Sequence, residues 1–425
     1  MTTDNGHAEM PQGWRNVPLR SLCLKTELAD PTKSPHKSFR YIDVSAVSNG
    51  LWKIISSTEH TGSTAPSRAR KLVKANDVIF ATVRPTLRRV AMVPDHLDGQ
   101  VVSTAFCVIR VNPTQADALF IYYSLLTDEF LDRIGNVQRG ASYPAVTDGD
   151  VLRQEILVPP LSEQCAIAAV LSKIQSAVEV QEKVVATLKE LKAATMAKLF
   201  REGLRGEPLK QTEIGEIPQT WDVVRLGTVA ELLSGGTPSK SRPEWWRGPI
   251  PWASPKDMKQ PRLWDTQDHI SQEALEDGSR LVPARTLFVV IRGMILAKDL
   301  PVAMTEVPMA FNQDMKAVIP ADSIDPEYLL YAIVSCKDAL TREIGTSAHG
   351  TRRMGTSSLE ALPIPRPEKD EQREIARAIR AVEQREETAL KRRDRIKSLF
   401  SSMLHLLMTG EVRVNHLKLS EEQDG

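Results

Sequence analysis

Cysteine is scarce and dispersed in this chain. Cys23, Cys107, Cys165 and Cys336 form no CxxC pair, which argues against a disulfide framework or a zinc site. It points to a reducing, cytoplasmic setting with each thiol a small buried apolar side chain. No apolar run approaches the length needed to span a bilayer. The opening residues Met1-Thr2-Thr3-Asp4-Asn5-Gly6-His7 are polar and carry no signal-peptide stretch. Catalytic signatures are missing as well. There is no GxxxxGK[ST] loop for ATP, no strand–GxGxxG–helix fingerprint for a dinucleotide or S-adenosylmethionine, and no NPPY or DPPY tetrapeptide of an amino-methyltransferase. The eight histidines form no HExxH or other ligand-spaced cluster. The chain therefore reads as non-catalytic, with neither metal nor cofactor of its own. Charge of one sign is lacking too: 55 basic and 54 acidic residues leave a net charge of +1. A nucleic-acid contact would have to rest on local clusters, not on a basic domain.

What is present is a repeat. Pro11-Gln12-Gly13-Trp14 returns as Pro218-Gln219-Thr220-Trp221, and Glu163-Gln164-Cys165-Ala166-Ile167-Ala168 returns as Glu371-Gln372-Arg373-Glu374-Ile375-Ala376. A period this long is a duplicated half-protein, not a solenoid unit. Two similar halves in one chain can imitate a two-fold dimer, and such an object suits a two-part target. With 425 residues there is room for two or three domains, each with its own core.

Each half closes on a long helix. The first is expected over 162–201, after Pro159-Pro160, with Ser162 as N-cap and Gly203 as the stop. One heptad row holds Ile167, Ile174, Gln181, Leu188 and Thr195; the other holds Val170, Ala177, Val184, Leu191 and Lys198. The second helix is expected over 370–408, before Gly410. Its rows hold Ile375, Val382, Ala389, Ile396 and Met403, then Leu399 and Leu406, with Arg385 and Arg392 interrupting. Five heptads in the same phase in both copies predict a coiled coil. Each helix would be about 55–60 Å long at 1.5 Å per residue, longer than a typical domain is wide.

Between the helices the pattern is mixed α/β. In the first half it predicts strands over 77–84, 89–93 and 101–109 and a helix over 118–134. In the second half it predicts strands over 286–292 and 315–319 and a helix over 326–344 capped by Asp325. Residues 204–216 read as a polar linker.

Three places suit nucleic-acid contact. The first is the arginine turn Arg84, Arg88 and Arg89, whose counterpart carries Arg292 and Lys298. The second is a glycine loop with Arg139 and Tyr143, matched by 347–353 with Arg352 and Arg353. The third is Gly235-Gly236-Thr237-Pro238-Ser239-Lys240, followed by Trp245-Trp246 and Lys256. Arginine matches phosphate oxygens and the guanine edge, and small polar residues with lysine suit a phosphate-contacting turn. Each could equally be a solvated turn, and the tryptophans read as packing. The first half has only Tyr41-Ile42-Asp43-Val44-Ser45 where the second has this third motif.

Taken in order and doubled, these motifs resemble the specificity (S) subunit of Type I restriction–modification enzymes. The resemblance covers nearly the whole length. It rests on the PQxW openings, the run Pro159-Pro160-Leu161-Ser162-Glu163-Gln164, Thr82-Val83-Arg84-Pro85, 199–207, 235–239 and 250–258. It implies two target-recognition domains, each reading half of a split site in double-stranded DNA. The expected architecture is thus α/β (α+β) and duplicated, with two globular mixed α/β domains separated by two long antiparallel coiled-coil helices in a pseudo-two-fold arrangement. The expected boundaries are 1–158, a helix at 159–203, a linker at 204–217, 218–365, a helix at 366–410 and a tail at 411–425. The resemblance also implies two methyltransferase subunits carrying S-adenosylmethionine and, where the system restricts, restriction subunits using ATP and magnesium. In the second copy Arg366-Pro367-Glu368-Lys369-Asp370-Glu371-Gln372 departs from the first hinge. The competing reading is a coiled-coil assembly scaffold with protein-binding end domains.

Overall fold

A computed structural model describes residues 10–342, 345–346 and 352–414. The chain divides into two compact units, 1–184 with 389–425, and 185–388. Both long helices contribute to each unit. Among the described residues no helix is long and apolar enough to cross a membrane.

In the first unit, one sheet orders the strands Thr58–Thr61, Ser38–Ile42, Val101–Ser103 and Ala69–Leu72; a second orders Cys23–Leu24, Phe106–Val111, Val78–Ala81 and Val90–Met92. The stretch expected as one strand over 101–109 is thus two strands in two sheets. The chain turns at Thr104-Ala105, where Ala105 accepts from the backbone of Thr82 at 2.7 Å. The expected helix over 118–134 is also two, Ala118–Ser124 and Asp128–Val137. Thr127 caps the second by accepting from the amide of Phe130. Phe80, Phe106, Phe120 and Phe130 are fully buried in this unit.

The second unit repeats the plan. A five-stranded sheet orders Ala230–Ser234, Met315–Pro320, Leu287–Val290, Val302–Thr305 and Arg262–Leu263; a four-stranded sheet orders Asp268–Ile270, Ile250–Ala253, Met309–Phe311 and Leu281–Val282. The four-stranded sheet that holds Ser38–Ile42 in the first unit and Ile250–Ala253 in the second contains a parallel pair in each, Ile42 beside Val102 and Ala253 beside Phe311; the five-stranded sheet adds another, Leu263 beside Thr305. Asp325 does cap its helix, Pro326–Ser335, but that helix ends there, and Lys337–Arg342 forms a separate one. The expected linker contains a hairpin, Leu209–Thr212 against Gly215–Pro218.

The repeated sequence motifs turn out to be one joint used twice. The indole of Trp14 donates to Glu163 at 3.2 Å, and that of Trp221 to Glu371 at 3.1 Å. Gln164 accepts from the amide of Asp117 at 2.9 Å and donates to the Pro159 carbonyl at 2.9 Å; Gln372 does the same with Asp325 at 2.8 Å and Pro367 at 2.9 Å. All four acidic or amide side chains are buried, so each bond answers a polar group that water cannot reach. A short antiparallel strand pair completes each joint, Arg15–Pro18 with Glu155–Val158 and Asp222–Arg225 with Pro363–Arg366.

The helices span Leu161–Glu202 and Lys369–Thr409. Ser162 therefore lies inside the first helix and is not its N-cap. Gly203 and Gly410 follow the ends with φ of +61° and +77°, the left-handed geometry that glycine tolerates best. The pairing is antiparallel in each unit. In the first, Gln181 donates to the Ala389 carbonyl at 3.3 Å and Lys397 pairs with Glu182 at 2.6 Å. In the second, Lys192 pairs with Glu386 at 2.9 Å.

The first heptad row of each helix faces inward as expected, with Ile167, Ile375 and Ala389 buried and Ile174, Leu188, Val382, Ile396 and Met403 half-buried. The second row is displaced by one residue. Val184, Leu191 and Leu399 are exposed, whereas Leu171, Val178, Val185, Phe400 and Leu407 are buried. Residues three and four positions on both border the same face, and the buried set follows the i+4 choice. The polar interruption expected in the first helix, Gln181, is buried; in the second helix the interruptions are not Arg385 and Arg392, which are exposed, but Glu386 and the half-buried Arg393. Of the cysteines only Cys107 is buried; Cys165 is exposed.

Candidate nucleic-acid interface

In the first unit, the arginine turn and the glycine loop, 55 residues apart in the chain as Arg84 and Arg139, are one surface. The Arg84 amide donates to Pro144 at 2.7 Å, and the Val146 amide donates to Thr82 at 2.9 Å. Val83 bridges to Ala145 between them, and Arg139 pairs with Ala145 on the other side.

The side chains sort by partner. Arg88 pairs with Asp128, and Arg89 donates to the carbonyls of Val44 at 3.1 Å and Val47 at 2.5 Å. Arg89 braces the turn through these carbonyls, while Arg88 is held in a surface ion pair with the exposed Asp128. Arg139 is exposed but lies 3.6 Å from the buried Asp150. Bonds from the backbone and hydroxyl of Thr147 hold the Asp150 carboxyl down at about 2. Arg84 is exposed and has no carboxylate partner among the described residues; its guanidinium lies 5.0 Å over the ring of Tyr143, which is 72% exposed.

The second unit carries the same backbone bonds. The Gly293 amide donates to Arg352 at 3.0 Å, the Met354 amide to Ile291 at 2.9 Å, and Arg292 bridges to Arg353. The side chains on this frame differ from those of the first unit. Gly293 stands where Arg84 stands, and Arg353 where Ala145 stands. Arg292 lies 3.8 Å from Asp314. Lys298 and Arg353 are exposed without a carboxylate partner among the described residues, and Arg352 is half-buried. Residues 347–351 of the expected glycine loop lie outside the described residues. Met294 and Ile295 are exposed at the tip of the turn. Charge-based reading passed over them because an apolar pair inside a basic segment resembles ordinary core sequence.

The third motif borders a cleft of about 910 Å³ lined by Thr237, Lys240, Arg247, Lys256, Gln313 and Asp314. Thr237 bonds Gln313. Ser239 bonds Ser241 at 2.8 Å on the exposed side of the turn. The double glycine is forced by close backbone approach: a Cβ on Gly235 would sit 2.3 Å from the Phe311 carbonyl oxygen, and one on Gly236 2.0 Å from that of Gly278. Trp245 and Trp246 are half-buried and pack beside the buried Trp252, yet Trp246 and Trp252 also line the cleft; they donate to the carbonyls of Ser239 and Gly236 at 3.3 and 3.0 Å. Lys240 and Lys256 are exposed and without a carboxylate partner among the described residues. Such a surface can take phosphates and base edges; among the described residues it gathers no nucleophile–base pair.

Comparison with known proteins bears on the family and the fold. The profile of the Type I restriction modification DNA specificity domain matches residues 11–190 and again 218–398. The chain is 38% identical to the EcoR124I/EcoR124II specificity subunit of Escherichia coli, over 35% of this chain and 38% of that subunit. It is 25% identical to the MjaVIII specificity subunit of Methanocaldococcus jannaschii, over 71% of this chain and 72% of that one. A solved chain from work on complex assembly and conformational transition of the type I R-M system is 27% identical, with TM-score 0.58, over 95% of this chain and 100% of that chain. The S subunit of a Type I system from M. genitalium shares the fold, with TM-score 0.61 at 14% identity, over 96% and 98% of the two chains.

Proposed function

The chain belongs to the family of Type I restriction modification DNA specificity domains, of which it carries two copies, and on that premise we propose that it is the DNA-reading subunit of a modification complex. Each unit's globular part reads one half of a bipartite site in double-stranded DNA. The paired helices set the number of unread base pairs and dock two methyltransferase subunits. Those partners supply S-adenosylmethionine and the methyl transfer to adenine; restriction subunits, where present, supply ATP- and magnesium-dependent cleavage. This chain contributes the address and the scaffold, in the cytoplasm.

One observation carries the reading. The two copies share the turn-and-loop backbone bonds, 84–144 with 82–146 and 293–352 with 291–354, yet present different side chains on them. A frame kept constant under a changing surface is what two readers of different half-sites require. A protein-assembly scaffold gives no reason for that divergence.

The test is the methylome of cells carrying this chain with its partner subunits. A bipartite methylated motif is expected. Removing four residues from one long helix should shorten the spacer, since about 6 Å of helix is lost at 1.5 Å per residue. A changed half-site with an unchanged spacer would overturn the spacing role.

A further inference from the structure

We propose that Arg84, whose guanidinium lies over the ring of Tyr143, reads a guanine in the half-site of the first unit; this rests on the DNA-reading function above. The neighbouring cations are already engaged. Arg88 is tied to Asp128, Arg89 to the carbonyls of Val44 and Val47, and Arg139 faces Asp150 at 3.6 Å. Among the described residues the Arg84 side chain has only the Tyr143 ring, 5.0 Å from its guanidinium carbon.

Its backbone adds a second, independent sign. Arg84 has φ of +49°, and Arg88, closing the same turn, has φ of +55°. A long side chain in the left-handed region is disfavoured, and such strain persists where the surroundings hold it and function uses it. Here the surroundings do hold it: the Arg84 amide donates to Pro144 at 2.7 Å, its carbonyl accepts from Leu87 at 3.0 Å, and Pro85 is buried. The second unit has glycine, Gly293, at this place in the same frame. The fold therefore accepts the strain-free residue, and the first unit nonetheless carries arginine.

A phosphate contact would need neither the strain nor the stacking, because a mobile lysine serves it. A planar fork held against a ring is what bidentate recognition needs. Two parallel N–H groups meet N7 and O6 of guanine in the major groove, and less side-chain freedom remains to be lost on binding.

The test uses the full chain with its methyltransferase subunits and a duplex pool randomised at both half-sites, followed by binding to the selected duplex with 7-deazaguanine in place of single guanines. Arg84→Gly suits the backbone and should fold; Arg84→Lys keeps the charge. The expected result is a guanine in one half-site that both variants cease to select, with the other half-site unchanged. The 7-deaza substitution there should weaken the wild type about tenfold to a hundredfold and leave Arg84→Gly unaffected. Tyr143→Ala should erode the same preference, and Tyr143→Phe should keep it. If Arg84→Gly selects the wild-type motif, the assignment to Arg84 falls while the DNA-reading function stands. If Arg84→Gly weakens binding equally on all sequences, or Arg84→Lys restores selection, Arg84 contacts phosphate and the proposal is overturned. If the wild type selects no motif, the underlying function falls with it.

Discussion

Replacing Arg262 by methionine should destabilise the second unit by about 3–5 kcal/mol, the usual loss when one partner of a buried ion pair is removed. Arg262 lies in the strand Arg262–Leu263, with its side chain 9% exposed. It bonds Glu306 at 2.6 Å, pairs with Glu327, and faces Glu383 across 3.5 Å. Burial by itself would lower the guanidinium pKa; the bond to Glu306 and the charge of Glu327 more than reverse this, so it lies above its ordinary value. Arg380 and Lys192 also reach Glu383, at 2.8 and 3.7 Å, and the Tyr331 hydroxyl donates to it at 2.9 Å. Without Arg262, Glu306 loses its ion-pair partner, and Glu327 and Glu383 are left to Arg380 and Lys192, which already serve Glu387 and Glu386. The first copy solves the same junction without charge: Tyr123 donates to Gln175 at 3.0 Å, in the places of Tyr331 and Glu383. Glu383→Gln should therefore be mild by itself. Combined with Arg262→Met it should recover about 1–2 kcal/mol, a coupling usual for residues in one network. Urea unfolding followed by circular dichroism measures all three variants. A loss below about 1 kcal/mol for Arg262→Met, or strict additivity in the double variant, would refute the reasoning.

The helix register gives a paired prediction. Phe400 is 1% exposed and stacks on Trp52 at 4.8 Å, whereas its neighbour Leu399 is 50% exposed. Phe400→Ala should cost about 3–5 kcal/mol and Leu399→Ala about 0.5 or less in thermal or urea unfolding; the reverse order would restore the i+3 seam. A third prediction concerns pH. Asp150 caps the helix Asp148–Leu152 through Thr147, and its carboxyl sits at about 2, below the ordinary 3.8. A depressed folded-state value means that its stabilisation is complete above the ordinary value and is lost as pH falls toward 2. Asp150→Ala should cost about 1–2 kcal/mol near neutrality. Its unfolding curve should then converge on the wild type as pH drops from 4 toward 2; a gap that stayed constant would show that the carboxylate charge is not what stabilises the cap.

Much of the frame was legible because it is local or periodic. The duplicated PQxW and Glu-Gln motifs, the two helices with their glycine stops and the Asp325 cap depend on neighbours along the chain, and each was recognisable from spacing. The second heptad row lies one residue from its expected place because i+3 and i+4 are equivalent on an isolated helix; which of them is buried depends on what packs there, as Phe400 under Trp52 shows. The strand over 101–109 was read as one for a related reason. An unbroken apolar run carries no mark of which sheet each half joins, and Thr104-Ala105 is held as a turn by bonds to distant residues, Thr104 to Arg68 and Ala105 to Thr82.

The site divides in the same way. Sequence alone determined that two basic loops recur in each half and that their side chains diverge, since residue identity and repeat spacing are properties of the chain. Tertiary structure decided which of those cations remain available. Arg88 and Arg89 are consumed by Asp128 and by the carbonyls of Val44 and Val47, while Arg84 is left on Tyr143. A charge shows its use only when its neighbours in space are known, and those neighbours lie tens of residues away in the chain.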